Sequence, residues 1–267
     1  MMKGIFSLVI VLIVFSCSRY DVNYDSQTKV IGHGGMGITH EFPLNSFESL
    51  ALCLNKGADG VEIDVQMTKD SILVAYHDEE LSELTTSSGS IHNHNWNEIE
   101  NVEYSKRLYS EYEVIKLNDL FTNLPEFKDK KYFFDVKTFS PDTTGAHLQS
   151  LINQLISIIK NFGLTNTTVE VRTKEIGLLV KQLDPTIEVF VYRNWDKALS
   201  MNIEYGFDGI TTDVDLLTQD RIDSARVVDL KIAVVNTHSI ERNDLAYVFG
   251  VDYNQTDMVS YVLRKKE

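Results

Sequence analysis

Short runs of apolar, β-branched and aromatic residues alternate along the chain with longer segments whose apolar positions recur every three or four residues. The short runs read as strands and the longer segments as helices. Strands are predicted at about 29–33, 60–65, 131–136, 167–172, 187–192, 208–212, 230–235 and 250–254. Helices are predicted over 45–56, 145–161, 174–183, 195–204 and 218–227, with Asn45 and Thr218 as N-caps and Gly57 and Gly163 as stops. Strands separated by helices imply parallel pairing with helical crossovers, an α/β architecture.

The segment from Gly57 to Asp78 carries the most chemistry. Val61, Ile63 and Val65 alternate with Glu62, Asp64 and Gln66, so Glu62 and Asp64 share one face of a strand. Two carboxylates side by side on a buried face resist ionising unless a cation sits between them; on an exposed face they would simply meet water. Thr68-Lys69-Asp70-Ser71 reads as a turn before the apolar run Ile72 to Tyr76. A hairpin closing near Asp70 pairs residues whose numbers sum to about 141, which sets His77 opposite Asp64. Lys29 to Gly35 is a second short strand, ending in His33 between glycines that let backbone approach a ligand. A third, Tyr132 to Lys137, puts Asp135 and Lys137 on one face. Arg172 and Arg193 end two later strands, and alternation places Arg172 on the face of Glu170, either in the barrel mouth or bridged to Glu170 or another acid.

Together these segments resemble the glycerophosphodiester phosphodiesterases. That family is marked by a strand ending His-Arg-Gly, by Gly-Ala-Asp-Gly-hydrophobic-Glu-hydrophobic-Asp, by a following His-Asp and by a later Glu-x-Lys. Here they read Gly32-His33-Gly34-Gly35, Gly57 to Asp64, His77-Asp78 and Asp135-Val136-Lys137, and Leu84 to Gly89 looks like the family's Arg-Thr-Thr-Asn-Gly-Thr-Gly. The similarity runs over roughly residues 29–254. It implies a single TIM (β/α)8 barrel, with the active site at the C-terminal ends of the strands. The hairpin 66–77 and the segment 78–115 form an insertion after the second strand, expected as a functional cover.

The resemblance also implies roles. Glu62, Asp64 and Asp135 are the expected ligands of a divalent cation, Mg²⁺ or Ca²⁺, because oxygen donors suit hard ions. His33 and His77 are the expected general acid and base, Lys137 a phosphate-holding charge, and Arg172 a further substrate contact. Two departures stand out: Gly34 replaces the Arg of His-Arg-Gly, and Leu44 replaces the Glu of Pro-Glu-Asn-Thr. The three-carboxylate, two-histidine set is also similar to the sphingomyelinase D toxins. The substrate therefore stays open between a glycerophosphodiester, a lysophospholipid and a glycan phosphodiester, and a barrel that binds without cleaving is the rival of another class. If the acids only repel one another in the cation-free protein, Asp64→Asn should raise its melting temperature.

The 267 residues suit one large domain, and the formal charge of −14 argues against nucleic acid or anionic bilayers as partners; no feature implies a protein partner. The N-terminus stands apart. Lys3 precedes an apolar run from Ile5 to Phe15, too short to span a bilayer comfortably. It ends in Val14-Phe15-Ser16-Cys17, which looks like a bacterial lipobox. Residues 1–16 are thus expected as a signal peptide, Cys17 as the lipidated residue, 17–28 as a tether and 29–267 as the barrel, anchored to the bacterial cell envelope. Cys53 lies in an apolar helical pattern and is expected to be buried rather than nucleophilic. His92 and His94 are expected as an exposed pair, His40, His147 and His238 as surface or satisfied residues, and Gly206 to Gly209 as a repeat of the Gly57 to Gly60 turn.

Overall fold

The computed structural model describes residues 22–24, 27–38, 42–105, 111–140 and 145–267. The signal peptide and Cys17 lie outside them, as does His40. In chain order the elements are β1 (Lys29–Gly32), α1 (Phe47–Asn55), β2 (Gly60–Met67), β3 (Leu73–Ala75), α2 (Trp96–Ile99), β4 (Ile115–Lys116), α3 (Leu117–Thr122), β5 (Lys131–Val136) and α4 (Ala146–Asn161). There follow β6 (Asn166–Val171), α5 (Lys174–Leu183), β7 (Glu188–Tyr192), α6 (Trp195–Tyr205), β8 (Gly209–Asp213), α7 (Gln219–Val227), β9 (Lys231–Thr237), α8 (Ile240–Val248), β10 (Tyr253–Thr256) and α9 (Val259–Lys266).

Strands β1, β2 and β5 to β10 pair in parallel, and β1 meets both β10 and β2, closing an eight-stranded barrel. All eight predicted strands are present. Alternation sorts their side chains: Tyr132 and Phe134 pack outward on the helices, while Phe133 turns inward to Ile31, Phe190, Ala233 and Tyr253. Gly209 makes room for that inner layer, since a Cβ there would stand 2.5 Å from the Phe190 ring.

Gly57-Ala58-Asp59-Gly60 and Gly206-Phe207-Asp208-Gly209 form the same turn. Asp59 and Asp208 accept the N–H of Val30 and Val189 on the neighbouring strand, and Asp252 does so with Ile232. These carboxylates pin the lower rim of the barrel. Within the predicted tether, Tyr24 is buried against Tyr247 and donates to Asp244 at 2.5 Å. Among the described residues no helix is long and apolar enough to cross a membrane.

The hairpin differs from its expected register. Val65 pairs with Ala75 and Met67 with Leu73, a sum of 140 rather than 141. Thr68 and Ile72 close a three-residue loop whose last residue, Ser71, takes a left-handed conformation, and an odd loop forces an even sum. Tyr76, not His77, therefore lies opposite Asp64, with its N–H on the Asp64 carbonyl. The insertion has a small core of its own, built from Val74, Tyr76, Leu81, Ile91, Ile99, Tyr104 and Val114. Tyr104 reaches from it to donate to the Leu44 carbonyl.

Candidate active site

The strand register assembles the acids. Asp64 on β2 lies beside Asp135 on β5, and Asp135 beside Glu170 on β6, a continuous row at the upper end of the barrel. Glu62 sits one inward position below Asp64. All four are buried, at 2 % exposed for Glu62, 1 % for Asp64, 4 % for Asp135 and 1 % for Glu170.

Their partners differ, and so do their proton affinities. Lys137 Nζ lies 2.7 Å from both Asp64 and Asp135, bridging them. Asn45 Nδ2 also donates to Asp64 at 2.7 Å, while Asn45 Oδ1 accepts the Asp64 N–H. Burial opposes the charge on Asp64, but Lys137 overrides it and holds the carboxyl well below its usual range. Asp135 is held low in the same way, with the Arg172 guanidinium forked onto both its oxygens at 2.5 and 3.0 Å. Among the described residues Glu62 receives only the Gly34 N–H; burial, reinforced by Asp64, raises its affinity for a proton. Glu170 is pushed up to about 7 by burial and by Asp135. The expectation that Asp64→Asn relieves repulsion is therefore overturned: Asp64 is paired with Lys137 and held by Asn45, and Glu62 is the acid that repulsion disfavours.

The histidines flank this cluster, with ring centroids 6.4 Å apart. His33 follows β1, and its Nδ1 lies 2.8 Å from Asp257 beyond β10. Partial burial works against the imidazolium, but Asp257 and the nearby Glu62 hold the pKa at about 9. His77 has the same arrangement, its Nδ1 2.8 Å from Asp78. Both rings thus present Nε2 for chemistry, with tautomer and orientation set by a carboxylate. Gln66, inward on β2, donates to the carbonyls of Tyr76 and Asp78 and fixes the turn that carries His77. That is why a one-residue error in register leaves His77 at the site.

Arg172 points into the mouth and pairs with Asp135, not with Glu170; Arg193 braces it from behind by donating to the Arg172 carbonyl. Asn45 is not the N-cap of α1. Ser46 is, accepting the Ser49 N–H, which frees Asn45, at a φ of 64°, to hold Asp64. The two departures at positions 34 and 44 prove to be neighbours. Gly34 has a φ of +50°, and a Cβ there would meet Leu44 Cδ2 at 2.7 Å. Cys53 is fully buried. His92 and His94 are partly buried; His94 bonds the Ser90 carbonyl and His92 faces His147 at 6.5 Å.

Sequence reasoning missed Asn45, Asp257 and Glu170 as site residues. The alternation of Thr168, Glu170 and Arg172 offered a signal for Glu170; Asp257 is separated from His33 by almost the whole chain and offered none.

Glu62, Asp135 and Glu170 each bring a carboxylate oxygen within 4.8 Å of the others; Asp64, the third expected ligand, is not in that group, its oxygens lying on Lys137 and Asn45. A hard cation with bonds of about 2.3–2.6 Å to oxygen spans such a group, so the residues present fit a divalent ion.

Residues 36–192, more than half of the chain, match the Glycerophosphoryl diester phosphodiesterase family. The chain belongs to that family. It is 34% identical over 84 residues to a glycerophosphodiester phosphodiesterase of Bacillus altitudinis, covering 32% of this chain and 34% of that protein. It is 26% identical over 183 residues to one of Caldanaerobacter subterraneus, covering 66% and 73%. The match thus spans about a third of the first relative's length. In fold it resembles an Oleispira antarctica phosphodiesterase solved with sn-glycerol-3-phosphate, at a TM-score of 0.77, 18% identity, and coverage of 89% and 96%.

Proposed function

We propose that this protein hydrolyses a glycerophosphodiester to glycerol 3-phosphate and an alcohol, with a divalent cation, Mg²⁺ or Ca²⁺, held by Glu62, Asp64 and Asp135. The observation that carries it is the meeting of two carboxylate-oriented imidazoles, His33 and His77, over a row of buried acids at one end of the barrel. The family and the glycerol-phosphate complex of the Oleispira relative support the substrate class.

When bound, the cation supplies Lewis-acid polarisation of a non-bridging phosphoryl oxygen and offsets the charge of the transition state. One imidazole takes the proton of the attacking hydroxyl, and the other gives a proton to the departing alkoxide as its P–O bond breaks. If the attacking group is the neighbouring hydroxyl of the glycerol, a cyclic phosphate forms and water then opens it. Lys137 and Arg172, both already at the acids, are the fixed positive charges available to the phosphate. We further propose attachment to the bacterial envelope through an acylated Cys17, tested by lipid labelling of the wild type against Cys17→Ala.

The central test is release of glycerol 3-phosphate from glycerophosphocholine, glycerophosphoethanolamine and a lysophospholipid, with and without EDTA. Metal-dependent turnover is expected, and His33→Asn or His77→Asn should each lower kcat by about 10²–10⁴. Binding of these compounds without turnover would instead mark a barrel that recognises phosphodiesters and does not cleave them.

A further inference from the structure

We infer that Glu170 is a ligand of the divalent cation, joining Glu62 and Asp135 at the barrel mouth; this rests on the cation-dependent reading above. The register brings Glu170 beside Asp135, and one oxygen from each of Glu62, Asp135 and Glu170 falls within 4.8 Å of the others. That spread matches a single ion with oxygen bonds of about 2.3–2.6 Å.

A second observation separates this from a chance cluster of acids. The site's permanent cations sit on Asp64 and Asp135: Lys137 bridges the two, and Arg172 forks onto Asp135. Among the described residues neither Glu62 nor Glu170 has a salt-bridge partner, although both are at least nine-tenths buried. A buried carboxylate that stays charged is held by pairing or by a metal, and otherwise takes up a proton; these two carboxylates lack the first. The remaining contacts of Glu170 orient it. Thr211 Oγ1 on β8 and Gln255 Nε2 on β10 both donate to Oε1, which leaves Oε2 for a further partner. Such donors behind a ligating carboxylate are the usual means of aiming it.

An apolar residue at position 170 would fill the barrel without the cost of burying a carboxylate. A Glu that served only as an acceptor for Thr211 and Gln255 could be replaced by Gln with no change in cation affinity. Calorimetric titration of Mn²⁺, Mg²⁺ and Ca²⁺ into the EDTA-stripped, full-length protein decides between these roles. Glu62→Gln serves as the control that the ion occupies this cluster.

Wild type should bind one equivalent and Glu62→Gln should lose it. Glu170→Gln should weaken binding by about 10-fold or more, since even groups behind metal ligands are worth that much. The cation-free melting temperature of Glu170→Gln should not fall, while the rise in melting temperature on adding metal should shrink. If wild type takes up no ion, the cation-dependent reading itself fails and this inference with it. If wild type binds, Glu62→Gln does not, and Glu170→Gln matches wild type within about twofold, only the role of Glu170 is overturned. Should Glu170→Gln fail to fold, Glu170→Asp, whose carboxylate is withdrawn by one methylene, is measured in its place; undiminished affinity there overturns the inference as well.

Discussion

Replacing Asp257 by Asn isolates the one carboxylate that reaches His33 from the far end of the chain. In the cation-free protein the His33–Asp257 contact, at 2.8 Å with the Asp257 side chain 4 % exposed, acts with the nearby Glu62 and Asp64 against burial to raise the histidine from 6.5 to about 9. At about 1.4 kcal/mol per pKa unit, that shift corresponds to roughly 3 kcal/mol of stability. A hydrogen bond to a charged group is worth about 1.5–3 kcal/mol, and that is the share of the total expected to rest on Asp257. The sign follows from the direction of the shift. A folded-state pKa above the unfolded one stabilises fully below about pH 6.5, and the contribution is lost as pH rises through about 9. Urea unfolding in EDTA should therefore show Asp257→Asn destabilised by about 2–3 kcal/mol at pH 6, with the gap to wild type largely closed at pH 10. By NMR the His33 pKa should drop toward 6.5. Turnover should fall by about 10²–10⁴ at saturating substrate, because the ring loses the group that sets its tautomer. A stability gap equal at pH 6 and pH 10, or an unmoved His33 pKa, would show that Asp257 does not act through the imidazole.

Other outcomes follow from the same geometry. In EDTA, Glu62→Gln should raise the melting temperature and Asp64→Asn lower it, since Glu62 is disfavoured by burial and by Asp64 whereas Asp64 is held by Lys137 and Asn45; thermal denaturation reads both, and a common sign would contradict the assignment. Gly34→Arg should cost about 1–2 kcal/mol for its left-handed backbone alone, plus the clash with Leu44. Leu44→Ala should recover the clash in a double-mutant cycle, and additive effects would disprove the contact. The Cys53 thiol, fully buried and pushed up to about 12 by that burial, should react with a thiol reagent at pH 8 only after unfolding. Rapid labelling of the native protein at Cys53 would show that the α1 face is open.

The eight strands, the helices between them and the shared face of Glu62 and Asp64 were legible in the sequence, because period two and period 3.6 are local properties that burial on one face enforces. The candidates His33, Glu62, Asp64, His77, Asp135, Lys137 and Arg172 were singled out from that alternation together with the family resemblance, which supplied their expected roles. Helices α8 and α9 were not singled out, being short and with polar residues in their patterns. What each site residue touches was decided by tertiary structure. A hairpin's register depends on the parity of its loop, so the left-handed Ser71 moved Tyr76 opposite Asp64. Lateral register between β2, β5 and β6 put Asp64, Asp135 and Glu170 in one row, and no periodicity within a strand specifies its neighbour's offset. Closure of the barrel brought Asp257 to His33 and Gln255 to Glu170. Those contacts join residues far apart in the chain, and only the packing that shuts the sheet on itself brings them within bonding distance.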